Sequence, residues 1–245
     1  MRLGWKTWLA ISLVIISFVL FLIMWGIFSV RRDDEIFLFF EALALLPIEV
    51  LLVTLVIDGL LKSKDKQTRL EKMNMVIETF FSEVGSELVR RFLRFDRNSK
   101  IGENLNITAE WTDSQYLSAK SSLDSFDCDV HCDPADLVSL RDFVAQKRQF
   151  LLTLLANPNL LEHESFTELL RATFHLIEEL ISRKDLETVS KADREHLAGD
   201  IRRVYLLLNA QWLDYMLHLK HNYPYLYSLA VRTNPFNPSA SAEFK

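Results

Sequence analysis

The chain has 245 residues, 49% of them hydrophobic, with a formal net charge of −5, six glycines and two cysteines. So mild a charge, with no basic block, excludes a reader of nucleic-acid backbone, and six scattered glycines leave no phosphate-cradling loop. The hydrophobic excess sits in the first quarter of the chain.

Thr7 to Val30 carries no charged side chain. As a helix it would span ~36 Å, enough to cross a hydrocarbon core of about 30 Å with some tilt. Arg31, Arg32, Asp33, Asp34 and Glu35 interrupt the apolar run, which resumes from Ile36 to about Leu61. The pattern predicts a transmembrane hairpin over residues 1–61, with helices at about 7–30 and 36–61. Arg2 and Lys6 would suit a signal peptide, but the apolar run is too long and no small-x-small cleavage site follows before Arg31. An uncleaved anchor is expected.

Arg2, Lys6, Lys62, Lys64, Lys66, Arg69 and Lys72 flank the outer ends of the hairpin, against Arg31 and Arg32 in its connection. The positive-inside rule then puts both termini in the cytoplasm, as a multi-pass inner-membrane protein. The Asn106-Ile107-Thr108 sequon is on the wrong side for glycosylation.

The first predicted helix holds Ser12, Ser17 and Gly26 among bulky residues, with Trp5, Trp8 and Trp25 near its ends. It reads as an anchor and packing surface. The second is chemically richer, with Glu41, Pro47, Glu49 and Asp58. Glu41 and Glu49, eight residues apart, lie within about 80° of each other and about 12 Å apart along a helix. Glu49 falls near mid-span, where an ionisable side chain is expensive and marks a candidate site. A ring of such carboxylates could line a cation or proton path in an oligomer. The plainer reading is a protonated Glu49 bonding near Pro47, which frees the carbonyl of Leu43 and leaves it needing a partner. Hydrogen bonding between subunits is a third.

Beyond Lys62, Leu70, Met73, Ile77, Phe80, Val84, Leu88 and Phe92 recur at helical spacing. Met75, Val76, Phe81 and Val89 widen that stripe beyond a coiled-coil seam, so a bundle core is expected. Asn98, Ser99, Gly102, Asn104 and Asn106 break the helix over 97–112. Thr112 with Gln115 forms a capping box that starts a short helix carrying Tyr116, Leu117 and Leu123 inward.

Cys128, His131 and Cys132 offer three zinc ligands, with His163 or His175 as possible completions, but only one half-site is visible. A polar loop in which Asp133 caps the next helix, with Pro134 at its first position, accounts for the same residues. Helices follow at about 134–156, 165–183 and 191–221, the last opened by Ser190 and Asp193. His163-Glu164 lacks the second histidine of a zinc-protease motif, since position 167 is Thr. His175 reads as an edge residue. Asp214, His218 and His221 share a face that could hold a metal or sense pH, although histidines in a last helical turn also suit its negative end.

The aromatic ending, Tyr223, Tyr225, Tyr227, Arg232 and Phe236, reads as a short helix packed on the bundle or as a partner-binding patch. Together with Trp212-Leu213-Asp214-Tyr215 and Phe80-Phe81-Ser82-Glu83-Val84-Gly85, it resembles a group of uncharacterised prokaryotic membrane proteins. That resemblance implies an N-terminal hairpin and a helical cytosolic part, and no activity.

The expected fold is all-α: the hairpin, a cytosolic helical domain over 62–236, and a disordered tail over 237–245. No nucleophile elbow or paired-cysteine zinc site appears, so no enzyme and no cofactor is expected. The leading function is a membrane-anchored sensor or scaffold whose bundle engages a cytosolic protein partner. Its hairpin contacts the lipid bilayer and anchors or oligomerises it. The rival is a homo-oligomeric ion channel lined by Glu49 and Glu41. A third is a membrane-tethered metal-dependent regulator or enzyme using Cys128, His131 and Cys132.

Overall fold

The computed structural model describes residues 5–27, 35–97, 100–123, 126, 128–160 and 163–243. The predicted connection at Arg31–Asp34, the predicted loop residues Asn98 and Ser99, and the last two residues lie outside them. The described residues are helical with one isolated antiparallel bridge, so the all-α class holds. Residues 1–68 and 69–245 form two compact units.

In the first unit, helix α1 (Trp5–Ile27) carries many exposed large apolar side chains, and its covered face runs along Ala10, Leu13, Ser17 and Leu20. Helix α2 (Glu35–Phe80) begins there and runs on through the boundary. Among the described residues one helix, within Glu41–Phe95, is long and apolar enough to cross a membrane; the described apolar part of α1, Thr7–Ile23, is shorter. Of the two predicted spans, only the second meets that length.

Ser17 and Ala44 are buried at 3% and 2% exposure, and the Ser17 hydroxyl donates to the Ala44 carbonyl. Two small residues let the helix backbones approach closely. The bond falls in the turn that Pro47 loosens, one residue beyond the carbonyl of Leu43.

The second unit is built around its longest buried helix. After α2 comes a π-helical turn (Phe81–Gly85), then α3 (Ser86–Phe95). A short α4 (Lys100–Asn104) sits inside the stretch expected as loop, and α5 (Asp113–Leu123) follows. Then come α6 (Pro134–Leu155), α7 (Glu164–Ser182), α8 (Lys191–Asn222) and α9 (Pro224–Arg232). Helix α8 packs against α7, α5, α9 and α3, while α6 covers α7 and α3. The stripe Leu197, Ile201, Val204, Leu208, Trp212 and Leu219 is buried along its length. A helix with partners on several sides is apolar over more than one stripe, and Tyr205, Leu213 and Met216 are buried as well.

The helix starts follow local chemistry. Gln115 Oε1 accepts from the Thr112 amide at 2.7 Å, Asp133 accepts from Ala135 N, and Ser190 Oγ accepts from Asp193 N. Each satisfies an amide that the first helical turn leaves unpaired.

Beyond α9, Ser241 N donates to Arg232 O at 3.0 Å, and Asn237 Oδ1 accepts from the Ser239 amide and hydroxyl. Local Asx turns order a polar segment without an apolar core.

Candidate functional site

Glu49 is exposed on the first unit, and among the described residues it has no hydrogen-bond or ion-pair partner. The expected bond between Glu49 and the Pro47 turn is therefore not made; Ser17 serves that turn instead. Glu41 and Pro47 are half-buried. Asp58 pairs with Lys62 at 2.8 Å, one helical turn on.

The aromatic ending is divided. Tyr227 is buried, its hydroxyl 2.9 Å from that of Tyr116 and donating to the Thr108 carbonyl at 3.1 Å. Phe236 is buried beside Asn234, which donates to the Leu105 carbonyl. Tyr223 packs edge-on against His218, and Arg232 bonds the Ala242 carbonyl. Only Tyr225, 72% exposed, remains as open aromatic surface among these positions. Of the two readings of this segment, a short helix packed on the bundle or a contact patch, these contacts follow the first, and Tyr225 alone stays open.

The Cys128–Cys132 loop lies against the end of α3, pinned by His131 N to the Phe95 carbonyl at 2.8 Å and Arg97 N to the Asp129 carbonyl at 3.2 Å. Both cysteines are buried and not joined in a disulfide, while His131 is exposed. Burial pushes the Cys132 thiol up to about 11, partly opposed by Arg194. These three residues are not brought together as a ligand set among the described residues.

Asp214, His218 and His221 each bond to a different partner. Lys120 donates to both oxygens of Asp214, at 2.8 and 2.6 Å. His221 and Lys220 meet Asp113 instead, at 2.9 and 2.7 Å. His218 Nδ1 accepts from the side-chain amides of Asn74 and Asn222, both at 3.1 Å.

His163 also works as an acceptor. It caps α7, its Nδ1 taking the Phe166 amide at 3.1 Å. Desolvation by burial holds both His163 and His218 below the usual histidine range. Asp214 partly opposes the shift at His163, and His221 adds to that at His218. Protonating either imidazole at Nδ1 would destroy the bonds it accepts. A lowered folded-state value means the unfolded chain binds more protons, so this contribution is complete above the unfolded value of about 6.5 and is lost as pH falls below it. Melting followed by circular dichroism from pH 7.5 to 5 should show stability declining. The pair His163→Asn and His218→Gln should flatten that slope; an unchanged slope would assign the acid sensitivity elsewhere.

A further cluster was not anticipated as a site. Helices α7 and α8 are the most extensively packed pair in the domain. Each contributes two side chains one turn apart: His175 and Glu179 from α7, His196 and Asp200 from α8. The sequence signal was present as two i,i+4 pairs, and only their meeting across helices was invisible. His175 Nε2 and His196 Nε2 both lie 3.4 Å from Asp200 Oδ2, and Glu179 Oε2 is 3.5 Å from His196 Nε2. Arg183 hydrogen-bonds Glu179 and holds its carboxyl below the usual range.

Fold and geometry thus define a class: an all-helical protein with an N-terminal helical unit and a larger C-terminal helical domain. Two family models match in that order, the MJ1433 N-terminal helical domain over residues 1–61 and the C-terminal helical domain of uncharacterized protein MJ1433 over 69–232. The chain belongs to the MJ1433 family. Uncharacterized protein MJ1433 of Methanocaldococcus jannaschii is 46% identical over 229 residues, covering 94% of this chain and 92% of that protein. No solved structure matches the chain.

Proposed function

We propose that the chain is a non-enzymatic, membrane-anchored sensor or scaffold. In this reading α1 and the first part of α2 form a two-helix anchor in the bilayer, and the helical domain engages a protein partner in the cytoplasm. The observation that carries it is the bare apolar surface of the first unit. Large apolar side chains from Trp8 to Leu61 are exposed along both helices, whereas beyond Thr68 those exposed among the described residues are Leu70, Met75, Leu117, Ile181, Tyr225 and Leu229. Water-exposed surfaces rarely carry so continuous an apolar patch, and lipid covers it at no cost. Residues 61–72, which hold Lys62, Lys64, Lys66, Arg69 and Lys72, are exposed throughout. They suit a helix leaving the anionic cytoplasmic leaflet.

The unpartnered Glu49 favours a second reading, an oligomeric channel, because a lipid-facing carboxylate at mid-span needs another copy or water. Two helices cannot enclose a pore, so the readings differ in stoichiometry. In lipid nanodiscs the full chain is expected at the mass of one or two copies, and in liposomes it should add no cation or proton flux. Rings of four or more copies, with flux lost in Glu49→Gln, would establish the channel instead.

A further inference from the structure

We propose that His175, His196 and Asp200 form a binding site for a divalent first-row transition ion, with Glu179 beside its fourth position. The site lies wholly within the helical domain and does not depend on the membrane reading.

Three observations converge on it. The first is spacing. Metal–nitrogen and metal–oxygen bonds of about 2.0–2.2 Å at a tetrahedral angle set ligand atoms about 3.3–3.6 Å apart. Asp200 Oδ2 stands 3.4 Å from each imidazole Nε2, and all three ligand atoms lie within 4.8 Å of one another.

The second is the state of Asp200. Its side chain is 7% exposed, and Oδ2 is buried without a hydrogen-bond donor although two imidazole nitrogens are near. Arg203 stands 3.8 Å away, on the other oxygen, and is itself largely exposed. A buried carboxylate oxygen with no donor is costly, and a cation shared with both histidines would supply what it lacks. The third is the frame. Both i,i+4 pairs project from long, packed helices, so the donors are held by backbone that a ligand need not order.

The donor chemistry selects the ion. Two imidazoles and a carboxylate suit zinc and its first-row neighbours better than calcium or magnesium, which prefer all-oxygen shells. Glu179, one turn from His175, can complete the tetrahedron or orient a bound water. Arg183 holds its carboxylate at 2.7 Å. The half-exposed histidines leave an open path for the ion.

The test uses the full chain in detergent or nanodiscs, freed of metal by chelation and titrated with Zn2+ and with Co2+. One ion per chain is expected, the cobalt form showing the visible bands of a tetrahedral nitrogen–oxygen site. His175→Gln and His196→Gln, at half-exposed positions, should keep the helical circular dichroism and weaken binding about a hundredfold. Asp200→Asn should do the same or more. The triple change Cys128→Ser, His131→Gln, Cys132→Ser should leave affinity unaltered. Absence of stoichiometric binding, or binding that survives both histidine changes, would overturn the assignment, as would loss of binding in the cysteine-loop variant.

Discussion

Phe81→Ala is expected to cost the helical domain about 3–5 kcal/mol, a large part of the stability of an ordinary domain. Phe81 is 1% exposed and belongs to the π-helical turn that joins α2 to α3. Its ring stacks on Tyr215 at 4.8 Å and meets Phe80 and Trp212 edge-on at 5.2 and 5.4 Å. Phe80 in turn packs edge-on against Phe166 of α7 at 5.2 Å. One ring therefore ties the end of α2 to the middle of α8, and its neighbour extends the contact to α7. Truncation removes the burial, leaves a cavity between rigid rings and forfeits the aromatic geometry. Thermal unfolding should show a midpoint lower by about 10 °C, with Phe81→Leu less affected. A shift under about 2 °C would mean that this cluster does not join the helices.

Gly85→Ala should be the second-largest change, and its sign is the informative part. In an ordinary helix interior this substitution stabilises by about 1 kcal/mol, because alanine loses less backbone entropy. Here an added Cβ would stand 2.5 Å from Phe81 Cδ1 and 2.8 Å from Phe80 Cε1. Both rings are fully buried and cannot swing aside. The π turn creates this crowding: Ser86 donates both its amide and its hydroxyl to the Phe81 carbonyl, five residues back, and the rings close over position 85. Overpacking of that kind costs about 1–3 kcal/mol. Chemical or thermal denaturation decides the matter, since a stabilised Gly85→Ala would mean that the rings have room.

The parts legible in the sequence were those set by neighbours in the chain. The starts of α5, α6 and α8 follow from Thr112 with Gln115, from Asp133 before Pro134, and from Ser190 with Asp193, all within one helical turn. The buried stripe of α8 follows from its own spacing. What spacing does not tell is which face of another helix each stripe meets. Tyr227 finds Tyr116 across 111 positions, a partner that the spacing of the tyrosines does not name. Asp214, His218 and His221 share a face, yet each is claimed by a different partner from elsewhere in the chain. His175 is an edge residue as its spacing indicates, and its neighbours His196 and Asp200 belong to the next helix, where spacing cannot place them. The π turn was hidden for a similar reason. Phe80 to Gly85 continues the helical pattern, and only the rings packed around Gly85 mark the inserted residue.

Alkaline carbonate extraction tests the proposed membrane anchor in the first unit. Membranes from cells producing the full chain would be washed at pH about 11, a treatment that strips peripheral proteins and leaves spanning segments in the bilayer. The full chain is expected to stay in the membrane pellet, and a chain starting at Arg69 to appear in the soluble fraction. Release of the full chain into the supernatant would contradict the anchor and require another cover for the exposed apolar surface between Trp8 and Leu61.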